Sequence, residues 1–238
     1  MRGQIFLSFD FAMQSTLRKE KGPMWHPNLI SNMNFPTPVS VLGFLAGCGG
    51  LALSILAIVV AYFVGKPMLA NLLFKLVAAG ATVYFGLLLA FSFASHDKVL
   101  SPGQEKYFCE IDCHLAYSVV SVKTDLAEDS RLYTVTLRTR FDETTTSPSR
   151  PKDVPLTPNP RQIEVIDAQG HAYPVLSTNG VPLSAPLRPG ESYLTEFQFR
   201  APGRAKGLRL LLRSTGWPEH LLIGDEQSPL HGRTWFAL

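Results

Sequence analysis

Charge is what this sequence is shortest of. Asp, Glu, Lys and Arg make up 17% of its 238 residues, against roughly a quarter in a soluble chain. The deficit is local: no charged residue occurs between Gly22 and Gly65, and Lys75 is the one charge between Met68 and Ala94. Cysteine is scarce as well, with three in the chain, too few for a scaffold built on disulfides. The nucleophile elbow, the phosphate-binding glycine loops and the HExxH helix are missing. His26, His96, His171, His220 and His231 are scattered without ligand spacing. With no convergent acid, base and nucleophile, the sequence reads as a non-enzyme.

The uncharged stretches carry the first positive signal. Val39–Val64 and Met68–Ala94 each exceed the roughly 20 apolar residues that a helix needs to cross a bilayer core. Gly65-Lys66-Pro67 between them predicts a tight antiparallel hairpin, with Gly closing one helix and Pro opening the next. Both segments are too long for a cleaved signal peptide. The first holds Gly43 and Gly47 in a GxxxG, followed by Gly50; the second holds Gly80 among alanines. Small residues let helix backbones approach closely in lipid. They predict packing of the hairpin on itself, docking against other membrane helices, or both. Lys75, buried in the second segment by sequence, is expected to snorkel toward the turn or to meet an acid on a partner.

Orientation follows from the basic residues. Residues 1–94 hold 6 basic and 2 acidic residues, and residues 95–238 hold 16 and 17. The excess belongs to the membrane part and gives no nucleic-acid signature. Counting Arg2, Arg18, Lys19 and Lys21 against Lys66 places the C-terminal region in the cytoplasm. A start at Met13, Met24 or Met33 is equally open, and a start at Met24 removes those tail charges and reverses the expectation.

After residue 100, short β-rich runs alternate with turn residues. The expected strands are Glu105–Asp112, Leu115–Asp125, Arg131–Asp142, Arg161–Asp167 with His171–Val175, Ser192–Arg200, Leu208–Ser214, Leu221–Ile223 and one near Thr234–Leu238. About seven strands without a helix predict a sandwich or barrel. Thr144–Pro160 reads as a Pro-rich insertion and Ser177–Gly190 as a second loop. The organisation is then a tail at 1–38, a two-helix hairpin at 39–94 and a β domain at 95–238 with the insertion at 144–160.

Asp167, Gly170 and Tyr173 form one turn pattern; Leu187, Pro189, Gly190 and Glu191 form another; Phe197, Phe199 and Pro202 follow on a strand. In these positions the chain resembles the extracytoplasmic Ig-like domains of the DUF4352 type. The resemblance implies an Ig-like β-sandwich outside the cytoplasmic membrane, on the periplasmic or external side, and so supports the later start. It covers about half of the β domain and says nothing about catalysis.

One stretch invites chemistry: Cys109, Glu110, Asp112, Cys113 and His114 crowd together in YFCEIDCHLAYSV at 107–119. Read as one extended strand, it puts Tyr107, Cys109, Ile111, Cys113, Leu115, Tyr117 and Val119 on an apolar inner face. Glu110, Asp112 and His114 then share the polar face. Residues four apart on a strand lie ~13 Å apart, whereas a disulfide needs Cα atoms within about 7 Å. Cys109 and Cys113 therefore bond, or share a metal, only if the chain folds back between them. Two spans followed by a β domain also resemble subunit II of haem–copper oxidases, whose copper run continues from Cys-x3-Cys to His and Met. Tyr117 and Val120 stand in those places here, which argues against copper. Asp225, Glu226 and His231 near the end suggest a polar cluster, but Glu226 and His231 read more simply as turn residues before a last strand.

The sequence thus predicts a multi-pass protein of the cytoplasmic membrane: a helical hairpin plus an all-β domain. Its expected role is that of an accessory subunit whose partners are the lipid bilayer and other membrane subunits, with no cofactor. The alternative is an electron-transfer or metal-binding subunit of a respiratory or photosynthetic complex, using Cys109, Cys113 and His114.

Overall fold

A computed structural model describes residues 29–109, 113–127, 130–146, 150–151 and 153–238. Two long helices lead, α1 (Thr37–Phe63) and α2 (Pro67–Phe93). Pro38 and Pro67 sit in the first turns, where a missing N–H costs nothing. Gly65, at φ +71°, ends α1: its N–H bonds Tyr62 O and the next N–H, from Lys66, bonds Ala61 O. That pair of reversed bonds satisfies carbonyls the helix leaves open. Both helices are apolar on nearly every side, and most of that surface faces outward, with Leu53 70% and Val83 63% exposed. A core helix of a soluble protein would hide such side chains. Two helices of this length and hydropathy are able to cross a membrane.

The rest is a sandwich of two five-stranded sheets. One sheet runs β1 (Lys98–Leu100), β10 (Thr234–Ala237), β9 (Arg209–Ser214), β5 (Arg161–Ile166) and β6 (Ala172–Tyr173). The other runs β2 (Lys106–Phe108), β3 (Leu115–Ala127), β4 (Ser130–Phe141), β8 (Ser192–Pro202) and β7 (Val175–Gly180). All pairings are antiparallel except β1 with β10. Alternation drives the packing. Phe197, Phe199 and Ala201 of β8 turn inward, to meet Val135 and Leu137 of β4 and Leu210 and Leu212 of β9 in one apolar core.

The expected class, a helical hairpin with a β-sandwich, is the observed one, and the ten strands among the described residues exceed the seven or so expected. Three local expectations fail. Leu221–Ile223 is no strand: Pro218–Leu221 winds into a single 3-10 turn, as Pro218 favours. The start of the expected 177–190 loop is instead edge strand β7. Residues 30–34, expected as tail, add to the edge of β2: Tyr107 N–H donates to Ile30 O and Asn32 N–H to Tyr107 O. The resemblance-bearing residues do perform turn chemistry. Asp167 accepts hydrogen bonds from the Gln169 and His171 N–H groups and from Tyr173 OH, and Gly170 and Gly190 hold φ of +84° and +85°.

Candidate functional site

The Cys109–His114 stretch is not one flat strand. β2 stops at Phe108, β3 starts at Leu115, and the two pair antiparallel with Phe108 opposite Leu115. The chain reverses between them, bringing the cysteine Cα atoms to 4.2 Å and joining them in a disulfide. Glu110, Ile111 and Asp112 lie outside the described residues. The reversal also changes the phase of the alternation. Phe108, Leu115, Tyr117 and Val119 enter the sandwich core. Tyr107, Cys109, Cys113 and Ala116 instead form a separate apolar cluster, covered by Leu29 and Met33. The thiols therefore lie outside the sandwich interior, against the segment that leads into α1.

His114 does point away from the sulfurs. Its Nδ1 lies 2.7 Å from Thr145 Oγ1, and its ring stacks on Phe141. Since the sulfurs are bonded to each other, they could ligate a metal only after reduction. Among the described residues, no three His, Cys, Asp or Glu side chains are grouped to hold an ion.

Beside the disulfide runs a polar network on β2 and β4. Glu105 accepts two hydrogen bonds from Arg140, at 2.9 and 2.6 Å, and a further bond from Arg138. Tyr107 OH donates to Asp142 at 2.6 Å. Burial would push the Asp142 carboxyl up, but donors from Tyr107, Thr144 and Arg140 outweigh it and hold the carboxyl far below the usual range. Burial and the Asp142 partner push the Tyr107 phenol upward in turn.

Deeper lies a group that the sequence did not reveal. Lys106 is fully buried. Its Nζ donates to Glu226 Oε1 at 2.5 Å, to Thr234 O at 3.0 Å and to Leu212 O at 3.4 Å. Glu226 Oε2 accepts the Thr234 N–H. One ammonium thus ties β2 in one sheet to β9 and β10 in the other, and both to the loop before β10. Asp225, also buried, accepts from Asn32 Nδ2 and from the Gln227 N–H. Burial pushes its carboxyl well up, against the pull of the Gln227 N–H. Glu226 is therefore more than a turn residue. Lys106 lies between a Glu and an aromatic pair in EKYF, where alternation with Phe108 was the one hint that it faces inward.

This seam locks the β domain to the hairpin. Asn32 Oδ1 accepts the Cys109 N–H. Asn34 N–H donates to Gly224 O, Asn34 Nδ2 to Phe91 O of α2, and Phe35 packs edge-on against Phe91. Gly224, at φ +82°, admits Phe35 so closely that an added Cβ would lie 2.5 Å from the Phe35 Cβ. Ser40 Oγ of α1 donates to Ile223 O, and Tyr84 OH of α2 to Leu221 O.

The glycines expected at a helix contact lie elsewhere. Gly43, Gly47, Gly50 and Gly80 are exposed, and a Cβ at any of them would meet nothing within 4 Å. Within the hairpin they are not contact points. Lys75 is exposed too.

Fold and seam together define an apolar, anchor-like helix pair hydrogen-bonded to a β-sandwich. No protein family and no curated protein matches the sequence. Two solved structures are similar in outline. One is the secreted protein MPT63 from Mycobacterium tuberculosis, 14% identical, covering 60% of this chain and 99% of its own, with a TM-score of 0.37. The other is an uncharacterized β-sandwich protein from Clostridium difficile 630, 11% identical, covering 60% of this chain and 95% of its own, with a TM-score of 0.34.

Proposed function

We propose that the chain is a non-catalytic accessory subunit of the cytoplasmic membrane. The hairpin crosses the bilayer, the sandwich stands on the periplasmic or external side, and the outward faces of α1 and α2 dock a larger membrane complex. The observation that carries this is the open space around Gly43, Gly47, Gly50 and Gly80. Small residues placed where the hairpin does not use them suit close approach by other helices. The Cys109–Cys113 disulfide supports an oxidising compartment for the sandwich. Docking is tested by purifying the chain from its native membranes in mild detergent. A Gly47→Ile, Gly80→Ile variant is expected to lose the co-purifying subunits while keeping its melting temperature. A wild-type chain that emerges as a lone monodisperse monomer would refute docking.

A further inference from the structure

The loop from Trp217 to Leu230 reaches down the hairpin further than any link to a β-strand requires. Ile223 meets Ser40, near the domain end of α1. Leu221 meets Tyr84, which lies nine residues before Phe93 and so about 14 Å inside α2 at 1.5 Å per residue. The end of the 3-10 turn Pro218–Leu221 therefore lies within the reach of a tyrosine side chain from that level.

Helix length sets that level against the bilayer. Each helix has 27 residues, about 40 Å, while the hydrocarbon core spans about 30 Å. With Lys66 at the far interface, the core covers roughly the 20 residues from Pro67 and ends near Gly86. The turn then stands at the headgroup level, not above it. Its chemistry agrees. Trp217 and Leu230 are each 69% exposed. Leu230 is the one non-glycine with positive φ among the described residues, at 64°, a strained conformation for a residue whose side chain is mostly exposed. Between them stand His220, bonded to Gln227 O, and Glu219, which accepts from Ser214. A hollow of about 410 Å³ beside Leu230 is lined by polar groups including Asp97, Arg213, His220 and Arg233. Apolar tips among polar and cationic groups suit the boundary between headgroups and acyl chains, where tryptophan is enriched.

We propose that residues 217–230 form a lipid-binding foot, with Trp217 and Leu230 seated in the headgroup layer of the leaflet beneath the sandwich. The foot fixes the height and tilt of the β domain. This rests on the membrane reading of the hairpin, and the experiment separates the two. The full chain with Trp25→Phe, which leaves Trp217 and the buried Trp235, is placed in nanodiscs of phosphatidylcholine and phosphatidylglycerol brominated high on the acyl chains. The emission that disappears on Trp217→Phe is expected to be quenched by the bromolipid and shielded from iodide. Leu230→Gly, which relieves the left-handed strain, is expected to keep the fold and reduce that quenching at least twofold. Iodide quenching without bromolipid quenching places Trp217 in water, and quenching by neither places it under protein; either result overturns the foot alone. Failure of the chain to enter nanodiscs overturns the membrane reading with it.

Discussion

Replacing Lys106 with Met tests the seam most directly. Met matches the length of the side chain but deletes the charge. The Glu226 carboxylate, 4% exposed on its side chain, is then left with the Thr234 N–H alone, and the carbonyls of Thr234 and Leu212 lose a donor. Removing one member of a buried ion pair costs about 3–5 kcal/mol, because the other charge stays out of water uncompensated. With an unfolding entropy of about 2.1 cal/mol/K per residue over roughly 140 residues of β domain, that lowers the melting temperature by about 10–17 °C. Intrinsic fluorescence of the full chain in detergent reports it, since Trp235 adjoins Thr234 and is buried. Glu226→Gln keeps an acceptor for the Thr234 N–H and removes the orphaned charge. The double variant Lys106→Met, Glu226→Gln is therefore expected to melt above Lys106→Met alone, against the usual additivity of two damaging changes. A shift below about 3 °C in the single variant would refute the buried pair, as would a double variant whose losses simply add.

Two further outcomes follow from the same geometry. Reduction of the Cys109–Cys113 bond releases a five-residue loop, worth about 2 kcal/mol by loop entropy. Thiol titration of the unfolded chain should find one free thiol, Cys48, before reductant and three after it; three before it would refute the bond. Acid should destabilise the sandwich through Asp142 and Asp167. Burial opposes ionisation of Asp167, but hydrogen bonds from Tyr173, His171 and Gln169 prevail and hold it at about 2, and Asp142 lies far below the ordinary range. Folded carboxyls below their unfolded value of about 3.9 add stability above that pH, lost as pH falls toward the folded values. Circular-dichroism melts from pH 6 to 2 should show the drop beginning near pH 4, and Asp167→Asn should make it shallower.

What was legible in the sequence depended on range. The hairpin could be read because its signal is local and one-dimensional: apolar length, then Gly65 and Pro67. The long strands β3, β4 and β8 could be read from alternation, and the turns at Asp167 and Gly190 from their residues. β1, three residues long, could not, because its pairing with β10 joins residues 98 and 234. The disulfide stretch failed for a related reason. Alternation assumes one continuous strand, and a reversal between Cys109 and Cys113 inverts every inside–outside assignment on one side of it. The seam was least legible of all. Lys106 and Glu226 are ordinary surface residue types 120 positions apart, and only the closing of two sheets upon a loop takes both out of water. That hidden pair holds the 217–230 loop in place between β9 and β10, and the loop in turn grips Ser40 and Tyr84. Loosening Lys106 should therefore free the sandwich to tilt on its anchor before it unfolds. A charge chosen for packing one domain would thus also set the angle at which that domain meets the membrane.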